Sequence, residues 1–182
     1  MPELSWLLVL DLLAVALCAV AAAIDLRTHR IPNWLTIPAA AGALVINFAV
    51  FAWAGGLTHG VTEGLLPALA GGGIALLIFF VLGAVGAVGM GDVKLMAAVG
   101  ALLRWPLALG LLIFVLVAGG LLALLYALIS GRFFAVVGNI FRLAGPQRRQ
   151  VRLHRIPYGL AILGGCLAAV LARHFEGFPP FG

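Results

Sequence analysis

Apolar residues fill the chain in long runs, and polar residues gather in short stretches between them. The runs extend from Leu4 to Ile24, from Trp34 to about Ala54, from Leu65 to Leu103, from Leu107 to Ile129 and from Ile156 to Ala172. A helix rises 1.5 Å per residue, so about 20 apolar residues cross a hydrocarbon core of ~30 Å. Residues 65 to 103 are long enough for two crossings, but Gly89-Met90-Gly91-Asp92-Val93-Lys94 interrupts them. The remainder, Val93 to Leu103, would rise only ~16 Å, about half a crossing. Either a turn near Gly83–Gly86 starts the fourth span early, or the glycine motif is broken backbone at membrane depth, tolerated only where protein or water meets it. The connection from Gly55 to Gly64 is expected to be a loop. The pattern predicts an all-α, polytopic membrane protein, a single domain over 1–182 with about six transmembrane helices.

Composition sharpens this picture. Hydrophobic residues make up 64% of the chain and charged residues 9%, against about a quarter charged in a soluble domain. The outer surface therefore faces lipid. The net charge of +5 does not indicate nucleic acid, because the basic residues cluster between spans. Arg27 and Arg30 lie in the first loop, Lys94 near the third, and Arg132, Arg142, Arg148, Arg149, Arg152 and Arg155 in the fifth; the fourth holds only Arg104 and the second has no Lys or Arg. Positive charge favours the cytoplasmic side. Both termini are then outside, Asp25 and Asp92 share the cytoplasmic side, and the protein is a multi-pass component of the cell (inner) membrane with lipids as partners. The segment Arg132–Arg142 has the spacing of an interfacial amphipathic helix. Glu3 and the absence of a basic start argue against a cleavable signal, so Leu4–Ile24 reads as the first span.

Few residues are available for chemistry. Of six acids, Glu3 and Glu176 are near the termini, Glu63 lies in the second connection, and Asp11 falls in the outer half of the first span, where a structural hydrogen-bonding role is expected. Asp25 and Asp92 remain, and a carboxylate near lipid needs a partner or a function. Brought together in a low-dielectric cleft, two carboxylates share one proton. One would activate water and the other would protonate a peptide carbonyl, as a coupled pair without individual assignment. Gly89 and Gly91 would permit the backbone geometry at Asp92 and close approach of a substrate backbone. Pro32 and Asn33 would set the turn that fixes Asp25. Ser5 and Ser130 are the only serines and neither sits in GxSG; HExxH is missing, and His29 lacks a third ligand, so no metal and no cofactor is expected. His154 reads as a solvated loop residue. Cys18 and Cys166 form no CxxC pair and read as small residues within spans.

Gly89-Met90-Gly91-Asp92-Val93-Lys94-Leu95 resembles the GxGD-x-KL signature of type IV prepilin peptidases, which are GxGD aspartyl proteases. Asp25 followed by Arg30-Ile31-Pro32-Asn33 resembles the first motif of that family, and Ile156-Pro157-Tyr158-Gly159 the start of its last span. The three motifs, in order, cover nearly the whole chain. The resemblance implies an aspartic endopeptidase that removes the basic leader from prepilins or pseudopilins at the cytoplasmic membrane face, with Asp25 and Asp92 as the catalytic acids. Lys94 and the arginines near Asp25, Arg30 among them, would attract an acidic group early in the mature pilin. Larger members carry a cytoplasmic domain with four cysteines in CxxC pairs, linked to N-methylation. Those cysteines are not found here, so methyltransferase activity is not expected and the chain looks like the short form used with Flp/Tad-type pili or like archaeal preflagellin peptidases.

Two other classes fit the composition. A small ion-coupled transporter would use Asp11 and the glycine-rich Gly71-Gly72-Gly73 segment on an ion path, but no convincing internal repeat joins the two halves. A non-catalytic scaffold of a pilus machine is the other. Neither the pilin substrate nor the oligomeric state is encoded in any motif.

Overall fold

In the computed structural model, residues 2–129 and 158–174 are described. Among them the chain is helical throughout: α1 (Pro2–Thr28), α2 (Asn33–His59), a π-helical segment (Gly60–Leu65), α3 (Leu66–Ala84), α4 (Met90–Leu103), α5 (Leu107–Ile129) and α6 (Gly159–His174). Three stretches are long and apolar enough to cross a membrane: Trp6–Thr28, the combined run Asn33–Ala84, and Leu107–Leu125. The basic segment 131–155, including the expected amphipathic helix and His154, lies outside the described residues.

The expected loop from Gly55 to Gly64 is much shorter than its composition suggests. The backbone leaves helical geometry only at Gly55 and Gly56, and Gly56 has φ +83°, a conformation that favours glycine. The chain doubles back there. A side chain at Gly60 would strike Ala52, and one at Gly64 would strike the Asn47 carbonyl. His59 and Glu63 therefore sit on helical backbone. The small residues that resemble a loop instead let the returning segment lie directly on α2.

The glycine motif combines the two sequence expectations. A turn follows α3, with Gly86 at φ +77°, yet α4 starts only at Met90. At 14 residues it rises about 21 Å, short of a full crossing. It survives because protein surrounds it: Val93, Leu95, Met96 and Ala98 to Leu103 are all buried, and α4 touches α1, α2, α3, α5 and α6. Its tightest crossing is with α3, where a Cβ at Gly72 would meet the Ala97 carbonyl at 2.9 Å and one at Gly100 the Gly71 carbonyl at 2.7 Å. Gly71 and Gly72, which an ion path could have claimed, are thus occupied by helix packing.

The bundle has two ends. At one lie the C-terminal end of α1, the N-termini of α2, α4 and α6, and the exposed Trp34. At the other lie Trp6, Trp53 and Trp105, all exposed. Along α2, Trp34 and Trp53 are separated by about 28 Å, close to one hydrocarbon thickness, and tryptophan favours both membrane boundaries.

Asp11 sits at the far end from Asp25 and is fully buried. Its Oδ1 accepts a 2.8 Å bond from Arg173 Nη1, and His174 Nε2 lies 3.3 Å from Oδ2. The expected structural role is what the geometry supports.

Candidate active site

Asp25 lies near the C-terminal end of α1, on the face turned into the bundle, with only 7% of its surface exposed. Its Oδ2 accepts the N–H of Gly159 at 3.0 Å, inside a buried contact. Gly159 is the first residue of α6, so the carboxylate caps a helix N-terminus, where free N–H groups and the helix dipole favour negative charge. The contact is close: a Cβ on Gly159 would come within 3.1 Å of Ala22 Cα and 3.2 Å of Asp25 Oδ2.

Asp92 lies in the first turn of α4 and is 8% exposed. Its Oδ2 accepts the N–H of Gly89 at 3.0 Å, the half of a capping box supplied by an acid three residues into a helix. Each acid therefore answers a different helix N-terminus, and the ends of α1 and α4 that carry them are joined where Gly91, beside Asp92, packs on Ile31, which follows α1. Residues separated by most of the first half of the chain thus lie at the same end of the bundle.

The surrounding motif residues have distinct positions. Gly91 lies against Ile31: a Cβ there would lie 3.0 Å from both Cβ and carbonyl oxygen of Ile31. The missing side chain of Gly91 thus serves a close contact with Ile31. Gly89 lacks a side chain on the side of the Asp92 carboxylate, where a Cβ would stand 2.9 Å from Oδ2. Pro32 is extended (φ −77°, ψ 148°) and caps α2, as a proline at a helix entry does. Asn33 does more than form a turn: its Oδ1 accepts a 2.8 Å bond from Lys94 Nζ, tying the start of α2 to α4. Arg30 is exposed beside them.

Tyr158 and Gly159 are visible in the sequence only as part of a motif, with no role of their own. Tyr158 lies near enough to Asp92 to feel its charge, its ring meets Phe79 edge-on at 6.2 Å, and its hydroxyl fills the space left by Gly119 on α5. Nothing in the local sequence indicates that Gly119 is the complement of Tyr158. The sequence signal for Gly159 is its place at the entry to a span.

Two buried carboxylates thus lie at one end of a bundle of long apolar helices, each accepting an N–H at a helix N-terminus. Comparison with known families agrees: residues 12–136 match the type IV leader peptidase family. The chain belongs to that family, and it is a membrane protein with leader-peptidase character. Neither the curated proteins nor the solved structures gave a match.

Proposed function

We propose that the protein is an aspartic endopeptidase of a single membrane domain, which cleaves the basic leader from type IV prepilins or pseudopilins using Asp25 and Asp92. What supports this reading is that two buried acids, each bound to a helix N-terminus, lie at the same end of the bundle in a chain of the leader peptidase family. Two such carboxylates resist double ionisation, so one proton is shared between them. The ionised acid takes a proton from water, which attacks the scissile carbonyl; the protonated acid donates to the carbonyl oxygen and then assists departure of the amine. The N–H groups of Gly159 and Gly89 hold the carboxylates in place during this exchange.

Placement at the cytoplasmic membrane face is supported by Arg27, Arg30 and Lys94 at the Asp25 end. The basic residues at the far end are committed to the protein: Arg104 donates to the Glu63 carbonyl and stacks on Phe51, and Arg173 pairs with Asp11. Six spans follow if α4 and α6, shorter than a full crossing, are counted with α1, α2, α3 and α5.

Co-expression with a small membrane protein carrying a short basic leader before its hydrophobic helix tests the activity. Mass spectrometry should find the substrate shortened at the leader–helix junction. An intact substrate beside a correctly inserted enzyme refutes the reading. Lys94, oriented by Asn33, is proposed to attract an acidic group early in the mature substrate. Lys94→Met should lower kcat/KM about tenfold for such a substrate, equivalent to ~1.4 kcal/mol, and leave a neutral substrate unaffected. Equal cleavage of the acidic substrate by both enzymes removes Lys94 from recognition.

A further inference from the structure

We propose that Arg173 is a positioning residue for the two aspartates, clamping from the far end of the bundle the two helices that carry them. Its Nη1 donates to Asp11 on α1 at 2.8 Å, and its Nη2 reaches the carbonyl of Leu103, the last residue of α4, at 3.4 Å. Asp25 lies further along α1, and Asp92 lies at the opposite end of α4. The guanidinium thus joins both acid-bearing helices at points about 21 Å and about 16 Å from the acids themselves.

The register of α1 against α6 turns this clamp into a positional device. Asp11, Cys18 and Asp25 follow one another at intervals of seven on α1, and Gly159, Cys166 and Arg173 do the same on α6. Seven residues are close to two helical turns, so each set lies along one face. The helices run antiparallel: Asp11 meets Arg173 and Asp25 meets Gly159, and the fully buried Cys18 and Cys166 fall at the matching middle position. The buried residues of the two helices between these rungs include Ala14, Ala21, Ile162 and Ala169, all apolar. Apolar contacts of this kind favour close packing but supply no charge partner that would be lost on a change of register. A charged cluster does discriminate: Asp11 is fully buried between Arg173 and His174, and a shift of α6 takes both partners from it. The ion pair at one end therefore fixes which residue of α6 meets Asp25 at the other.

The two buried free thiols in the middle of the seam give a test that does not depend on catalysis. The full chain in membranes is compared as parent, Arg173→Lys, and the double variant Asp11→Leu/Arg173→Leu. Replacing such an ion pair by apolar side chains is often neutral or stabilising, and circular dichroism of the purified double variant checks that it folds. Diamide oxidation is followed by mass spectrometry of the Cys18–Cys166 crosslink, and leader cleavage by kcat and KM, the latter resting on the proposed proteolytic function. The parent and Arg173→Lys should crosslink efficiently. The double variant should crosslink at least about threefold less, and its kcat should fall about 10- to 100-fold with KM nearly constant, since a displacement near 1 Å costs up to ~100-fold in rate. Parental crosslinking in the double variant overturns the proposal whatever cleavage does, as does a parent whose thiols do not crosslink. A parent that crosslinks but cuts no leader would instead overturn the proteolytic reading and leave the clamp standing.

Discussion

Asp25→Asn and Asp92→Asn should each reduce leader cleavage by at least about a thousandfold while leaving membrane insertion intact. General acid–base groups contribute typically 10²- to 10⁴-fold, and neither acid can replace the other, because the reaction needs one ionised and one protonated partner. The substitutions are nearly isosteric. The amide introduced at position 25 keeps an oxygen that can accept the Gly159 N–H, and the amide at position 92 keeps one for Gly89, so the bonds holding α6 and the start of α4 survive. What disappears is the ability to take up and release a proton. The two single variants and the double variant should therefore be equally inactive, as expected for residues that act as one unit. The measurement is co-expression with a prepilin-like substrate, read as the ratio of processed to unprocessed chain. Substantial processing by either single variant would defeat a two-carboxylate mechanism.

Gly159→Val should have the next largest effect, and it separates positioning from chemistry because no titrating group changes. The added Cβ alone would stand 3.1 Å from the Ala22 backbone and 3.2 Å from the Asp25 carboxylate, and the branched methyls would drive α6 away from α1. Overpacking of this kind costs about 1–3 kcal/mol, and loss of a hydrogen bond to a charged acceptor about 1.5–3 kcal/mol. Cleavage should fall at least about 100-fold, with Asp25 left unanchored. For Gly159→Ala it should fall about tenfold, since neighbours must yield only a few tenths of an ångström. Activity assays together with thermal denaturation in detergent check the graded order. Equal activity of glycine, alanine and valine at this position would show that the α1–α6 contact does not hold the acid.

Some of this architecture is legible in the sequence and the rest is hidden, for physical reasons. The apolar runs reveal helices directly, because lipid requires backbone groups to be satisfied within each segment. Asp25 and Asp92 stand out because acids are rare in such runs. The same uniformity conceals which face of a helix meets protein, since lipid-facing and protein-facing residues are alike apolar. Hence Cys18 and Cys166 look unrelated, although their place in two sets of matching seven-residue intervals is present in the sequence. Gly55–Gly64 resembles a loop because glycine marks both turns and close helix packing; only Gly55 and Gly56 break the helix, and Gly60 and Gly64 serve packing. That Gly91 packs on Ile31 is hidden because Ile31 comes from another part of the chain. Long-range contacts of this sort leave no local signature.

The meeting of the two acids is most directly measured by proximity. In a background carrying Cys18→Ala and Cys166→Ala, the double substitution Asp25→Cys/Asp92→Cys should be joined within one chain by a short bifunctional thiol reagent in intact membranes. Efficient intramolecular joining is the predicted result. Two thiols that each react singly with the reagent yet never become joined would contradict the shared site.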